Sequence, residues 1–298
     1  MAALDSLQAS VNKKSNRPST THGPTWQLPD GVAKGNWDYI KSPSIARNYD
    51  RFLADDPLAA ADGELLAHKL PPLADDIRES DRPRVADFGC GNGRSLLPVW
   101  KRGYRAIGID LSESMLGQFR EKTKISETAS NGKNSSSAQR LTLIQANLVE
   151  LDFLPSQCLD AALCMFSTLG MIRGITSRDR FLCHVHRLLK QEGMLILHAH
   201  NLVFQLRTPG GLRRFIGDLA RTTRGRQELG DRISDYRGVR NVFIHSFRRR
   251  ELQLALTNAG FEIVQWYSVM PGKKLLYRGL PFLSDFRVVG WIVVCRPR

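Results

Sequence analysis

The chain has 298 residues, 42% of them hydrophobic, enough for one α/β domain with appendages rather than two independent domains. No apolar run approaches the roughly 20 residues of a membrane span; the longest clean stretch, VVGWIVVC at 288–295, is strand-sized, so a soluble protein without a membrane span is expected. Lys and Arg exceed Asp and Glu by 14, and residues 201–250 supply eight of these, with twelve Arg against Asp218, Glu228, Asp231 and Asp235.

Residues 1–36 are polar, and Asp5 interrupts their only apolar part. They lack the continuous apolar stretch of a secretory signal and read as a disordered tail, with a transit peptide of mitochondrial type as the rival reading. In WDYIKSPSIARNYDRF (37–52), Trp37, Tyr39 and Tyr49 have the spacing of a short lid helix, although plain packing explains them equally well. RVADFG (84–89) and RAIGID (105–110) read as buried strands, and GRSLLPVWKRG between them has helix length, so the three form a right-handed parallel crossover. A helix from Ser112 through Ile125 follows, with Met115 and Phe119 at helical spacing. SETASNGKNSSSAQ (126–139) is small and polar and reads as a surface insertion.

LTLIQA (141–146) and LDAALCMF (159–166) resume the strands. RDRFLCHVHRLLK (178–190) carries a helical stripe of Phe181, Leu182, Val185, Leu188 and Leu189, and Gly193 is expected to end that turn before the strand MLILHA (194–199). After the Arg-rich stretch come a helix (248–260) and strands at 261–270 and 286–295. The alternation predicts a doubly wound, mostly parallel seven-stranded sheet with an antiparallel last strand. Cys90, Cys158, Cys164, Cys183 and Cys295 stand singly, which points to reduced thiols in a cytoplasmic setting, without disulfides or structural zinc. No metal site is expected: His184 and His186, two apart on a helix, point in different directions.

In such a sheet, ligands sit beyond the carboxyl ends of the strands where the winding reverses. There Gly89, Gly91 and Gly93 let a ligand reach the main chain, a helix N-terminus follows, and Asp110 ends the second strand as a ribose-binding carboxylate would. The spacing Gly-x-Gly-x-Gly is not that of dinucleotide enzymes, because position 94 is Arg94. Asp87-Phe88-Gly89-Cys90-Gly91-Asn92-Gly93 with Ile107-Gly108-Ile109-Asp110 resembles the first two motifs of the class I S-adenosylmethionine-dependent methyltransferases, of the type 11 kind. The likeness runs from about residue 37 to the end and is dense between 84 and 197.

The resemblance implies S-adenosylmethionine as cofactor and S-adenosylhomocysteine as product. It implies that Gly89, Cys90, Gly91 and Gly93 receive the methionine portion, Asp87 supports its amino group and Asp110 holds the ribose. Leu111, Met115, Asn147 and Leu148 would border the adenine, Asn147 where the family usually has an acid, and Met165 and Tyr49 would complete the site. The domains expected are the tail 1–36 and a methyltransferase domain over 37–298. The latter divides into a lid segment (37–83), a cofactor-binding core (84–200), an Arg-rich recognition insertion (201–247) and a C-terminal helix with a strand pair (248–298).

His198, His200 and Asn201, at the end of the fifth strand, read either as groups that orient or deprotonate the methyl acceptor or as ordinary hydrogen-bonded strand-end residues. CMFSTLGM (164–171) lacks the Asp/Asn-Pro-Pro-aromatic tetrad that methylators of exocyclic base amines commonly carry. Arg207, Arg213, Arg214, Arg221, Arg224 and Arg226 favour a small or medium anionic metabolite as acceptor, with RNA recognised through 207–250 as the alternative. VFIHSFRRREL (242–252) faintly resembles the tail of some tRNA wobble-uridine methyltransferases. A third reading is a non-catalytic cofactor-binding protein.

Overall fold

The run VADF is buried at every position in β1 (Arg84–Phe88), as a central strand covered on both faces requires. The computed structural model describes residues 28–54, 56–129, 140–207, 210–223, 227–271, 276–278 and 286–298. In parallel with β1 lie β2 (Arg105–Asp110) on one side and β4 (Leu159–Cys164) on the other, with Arg84 opposite Arg105 and Val85 opposite Ala161. β3 (Leu141–Gln145) continues beyond β2, and β5 (Leu189–His200) beyond β4, both parallel. Next to β5 runs β10 (Gly290–Pro297), antiparallel to it and to its outer neighbour β8 (Phe261–Val269); the three-residue β9 (Leu276–Arg278) edges β8. The order β3-β2-β1-β4-β5-β10-β8-β9 is the expected seven-stranded arrangement with one short added edge strand.

One core lies on each face of the sheet. Phe88, Ile109, Phe181, Leu188 and Trp291 belong to one, and Val85, Leu96, Trp100, Phe119 and Ile292 to the other. The helices covering them, in chain order, are α1 (Lys34–Ile40), α2 (Pro43–Leu53), α3 (Pro57–Lys69), α4 (Leu96–Lys101), α5 (Glu113–Ala129), α6 (Thr168–Met171), α7 (Ile175–Leu188), α8 (Gly211–Thr223) and α9 (Arg249–Asn258). No helix among the described residues is long and apolar enough to cross a membrane.

The structure departs from the sequence reading in several places, one being α5, which runs on to Ala129 and takes up the first four residues of the expected insertion 126–139. The lid is two helices, because Pro43 cannot continue α1 and instead opens α2 at its first turn. Gly193 does not separate α7 from a strand: β5 begins at Leu189, immediately after the helix, and Gly193 lies in a bulge where the register with β4 shifts between Leu159 and Ala161. The insertion 201–247 contains α8 and a separate antiparallel ribbon, β6 (Asp231–Tyr236) with β7 (Val239–His245). Its two-residue turn, Arg237-Gly238, has φ +51° and +86°, the left-handed geometry that matches strand twist. Finally, residues 28–36 are ordered and α1 begins at Lys34, so the segment assigned to the tail contributes structure; residues 1–27 and 130–139 lie outside the described residues.

Candidate functional site

A cavity of about 310 Å³ opens at the carboxyl ends of β1, β2, β4 and β5, where the sheet reverses its winding. Its floor is the loop after β1 together with Asp87, Asp110, Leu111, Ser112, Met115, Asn147 and Leu148. Its roof comes from distant parts of the chain: Asp30, Gly31, Val32, Tyr39, Ile40 and Tyr49 before the sheet, and Ser234, Tyr236, Val242 and Ile244 on the ribbon. Met165, Phe166, Thr168, Met171, Ile172 and His200 form the wall at the β4 and β5 ends.

Hydrogen bonds fix the roof. The Asn36 side chain accepts from Phe243 N (2.6 Å) and donates to Phe243 O (3.0 Å), clasping α1 to β7. The approach is so close that a Cβ on Gly35 would fall 2.0 Å from Asn241 O. Ser112 Oγ donates to Ile40 O (2.6 Å) and Asn92 Nδ2 donates to Asp50 Oδ1 (2.9 Å), so the lid is pinned to the start of α5 and to the glycine loop.

The glycines serve different ends. A Cβ on Gly91, at φ +53°, would meet no atom within 4 Å; it would project into open space. Gly93, at φ +84°, does not line the cavity: a Cβ there would lie 2.4 Å from the Phe119 ring, so this glycine admits the loop against α5 rather than a ligand against the loop. The Cys90 thiol is pushed far up in pKa by burial, with the Asp110 and Asp87 carboxylates adding to the effect, and its side chain belongs to the core. Such a thiol is a packing group, not a nucleophile.

Asp110 presents both oxygens to amides: Oδ2 accepts from Gly91 N (2.8 Å) and Oδ1 from Ser112 N (2.7 Å). Burial raises its pKa and these amides oppose the rise. Asp87 is 2% exposed, and among the described residues its Oδ1 has no hydrogen-bond partner. Burial pushes its pKa up to about 7, Arg94 opposing and Asp110 adding to the shift. A buried, unpartnered carboxylate at the edge of an open glycine loop fits a cationic ammonium, and Asp110 beside it fits a pair of hydroxyls. The sign of the linkage gives a test. A carboxyl whose folded pKa lies above its unfolded value destabilises the fold progressively between about pH 4 and 7, and a bound cation relieves this. Affinity for S-adenosylmethionine is therefore expected to rise between pH 6 and 8 while ligand-free stability, followed by urea titration, declines from pH 4 to 7. A calorimetric affinity flat across pH 6–8 would remove Asp87 from the ammonium site.

Of the other residues read from sequence, Tyr49, Gly89, Leu111, Met115, Leu148, Met165 and His200 line the cavity. Asn147 lines it too, but its polar atoms already have protein partners: Nδ2 donates to Asp30 O (3.1 Å) and Oδ1 accepts from Val149 N (3.4 Å), so it fastens the roof. His198 and Asn201 are absent from the lining. His198 is fully buried, with Nδ1 2.6 Å from Asp62 Oδ1, and Asn201 uses its side chain on Val288 O and Val203 N. His200 Nε2 is buried and unpartnered among the described residues. Burial, with His198 adding to it, lowers the His200 pKa to about 4, so the imidazole is neutral at physiological pH.

Arg207 and Arg213 are exposed and outside the lining, whereas the side chains of Arg214 and Arg221, and residues Arg224 and Arg226, lie outside the described residues. Glu228, Asp231 and His245 bring ligand atoms within 4.8 Å of one another. Their partners explain the cluster: Glu228 pairs with Arg178, and His245 bridges Asp231 (2.8 Å) and Glu251 (2.7 Å), tying the ribbon to α9. Sequence reasoning missed Asp62, Arg94, Phe166 and the roof residues other than Tyr39 and Tyr49. Only Arg94, inside the glycine motif, carried a local signal.

Residues 86–197 match the family model of a methyltransferase domain. YqeM of Bacillus subtilis, named as a methyltransferase, is 26% identical over 121 residues, 41% of this chain and 44% of the relative. A demethylmenaquinone methyltransferase of Tropheryma whipplei is 26% identical over 204 residues, 66% of this chain and 73% of the relative. The alignments span 42% and 44% of the length of the first curated relatives matched. Among solved structures, the CcbJ methyltransferase of Streptomyces caelestis superposes with a TM-score of 0.59 at 18% identity, covering 87% of this chain and 98% of that one. A Burkholderia thailandensis 1,6-didemethyltoxoflavin-N1-methyltransferase, with bound 1,6-didemethyltoxoflavin and S-adenosylhomocysteine, gives a TM-score of 0.52 at 17% identity over 91% of this chain and 92% of that one. The matched segment makes residues 86–197 a methyltransferase domain, and the sheet order gives the chain the Rossmann-like fold of the S-adenosylmethionine-dependent methyltransferases.

Proposed function

We propose that the chain transfers the methyl group of S-adenosylmethionine to a small-molecule acceptor and releases S-adenosylhomocysteine. The observation that carries this reading is the unpartnered buried Asp87 beside Asp110, separated by a loop whose Gly91 leaves open space. The cofactor's sulfonium supplies an electrophilic methyl group, so the protein has to orient an acceptor lone pair and exclude water. In this reading Asp87 meets the ammonium, the Gly89, Cys90 and Gly91 main chain receives the aminoacyl portion, and Asp110 holds the ribose. Leu111, Met115 and Leu148 flank the adenine, and Met165 and Tyr49 close the remaining sides.

His200 is the group assigned to the acceptor: a neutral imidazole with a free Nε2 holds the acceptor's proton in a hydrogen bond or takes it up. His198 acts on Asp62, one step removed. A roofed cavity rather than an open groove supports a small molecule, while an anionic acceptor rests on the basic segment 207–250 and RNA on that segment and the faint likeness of 242–252 to a tRNA methyltransferase tail. The reading is tested by calorimetric titration with S-adenosylmethionine and by following labelled methyl from the cofactor into small molecules, RNA or protein of a fractionated extract; absence of cofactor binding overturns it. Once an acceptor is in hand, His200→Ala is expected to lower turnover by about tenfold or more with cofactor affinity held within twofold. Equal turnover would return His200 to a packing role.

A further inference from the structure

We infer that the acceptor end of this cavity takes an uncharged, planar, conjugated molecule carrying an O–H or N–H group, and that Asp62 sets this preference by holding Arg94 away from anions. The inference rests on the methyl-transfer reading above and names its acceptor class.

The charge inventory comes first. Among the described lining residues the only full cation is Arg94, set against Asp30, Asp87 and Asp110. Arg94 is already engaged: its Nη2 donates to Asp62 Oδ2 at 2.9 Å and its Nη1 to Ala59 O at 3.3 Å. Asp62 is fully buried, and although burial alone would raise its pKa, His198 and Arg94 hold the carboxyl below the ordinary range. The charge of Arg94 is thereby matched inside the protein, and an anionic acceptor would enter an end whose described lining offers carboxylates and no unmatched cation.

The wall is built for a flat conjugated face. Phe166 and Ser167, neither of them glycine, have φ +52° and +63°, a conformation that requires support. Ser167 N donates to His198 O (3.0 Å) and Ser167 Oγ accepts from His200 N (3.2 Å), locking the turn to the end of β5. The Phe166 ring lies edge-on to His200 at 6.2 Å, with the Arg94 guanidinium 5.0 Å from its centroid. Opposite, Tyr39 and Tyr236 approach to 5.9 Å between ring centroids, and Met171 adds a polarizable sulfur to the lining. His200 brings to this wall an imidazole whose Nε2 has no hydrogen-bond partner among the described residues, which suits an O–H or N–H group on an otherwise apolar ring.

The matched probes 2-naphthol and 2-naphthoate separate the possibilities at pH 7. S-adenosylhomocysteine is titrated first as an independent readout of the methyltransferase reading, and both probes are then titrated into ligand-free and S-adenosylhomocysteine-loaded protein. 2-Naphthol is expected to bind at least about tenfold tighter than 2-naphthoate, since discrimination here is by an unmatched charge. Phe166→Ala should weaken 2-naphthol several-fold. Asp62→Asn keeps the side-chain shape and releases the Arg94 charge, so 2-naphthoate should gain about tenfold relative to 2-naphthol. Equal or tighter binding of 2-naphthoate by the unmodified protein, or no binding of either probe at millimolar concentration, overturns the inference. If Asp62→Asn does not fold, the unmodified protein and Phe166→Ala decide.

Discussion

Asp110→Ala is expected to weaken S-adenosylmethionine binding by well over tenfold, about 2–4 kcal/mol, in a calorimetric titration. Two losses combine in this variant. On the proposed reading the ribose loses a charged acceptor, and Gly91 N and Ser112 N, which donate to Asp110 at 2.8 and 2.7 Å, lose the group that fixes the loop and the start of α5. Asp110→Asn separates them, because an amide retains one acceptor oxygen and should fall between the two proteins. Unchanged affinity in the alanine variant would place the cofactor elsewhere.

Asp62→Ala is expected to destabilise the fold by about 3–5 kcal/mol, because it strands the groups that Asp62 partners in the interior. Asp62 and His198 are both fully buried, and Arg94 reaches the same carboxylate from the loop side. The pH dependence follows from the lowered Asp62 pKa: its contribution is present above the unfolded value near 4 and is lost as pH falls through the lower folded value. A midpoint shift in urea worth less than about 1 kcal/mol would show that water reaches and satisfies these groups. Because Asp62 also sets where Arg94 lies, this variant should combine lower stability with altered ligand preference.

The parts of the site within one strand–loop–strand unit were legible in the sequence. Asp87, Gly89, Gly91 and Asp110 sit where a parallel crossover must put them, and local periodicity suffices to find them. Gly93 was assigned to the ligand because its contact with Phe119, 26 residues on, is tertiary. The roof was less legible for the same reason: no local pattern pairs Asn36 with Phe243. The ribbon was hidden by composition, since Arg237-Gly238 is a weak turn signal inside a stretch dominated by arginine. Asp62 could not be found from sequence at all, because a carboxylate in an ordinary helix becomes distinctive only when the end of β5 brings His198 to it.

The clasp between α1 and β7 joins residues 207 positions apart over the same cavity. Neither half of the cover can lift alone without exposing the amide and carbonyl of Phe243, so access to the cavity is coupled to a sub-global opening of the chain. Occupancy should consequently slow hydrogen exchange at both distant segments in step, and proteolytic nicking near residue 30 should loosen the hairpin more than two hundred residues downstream.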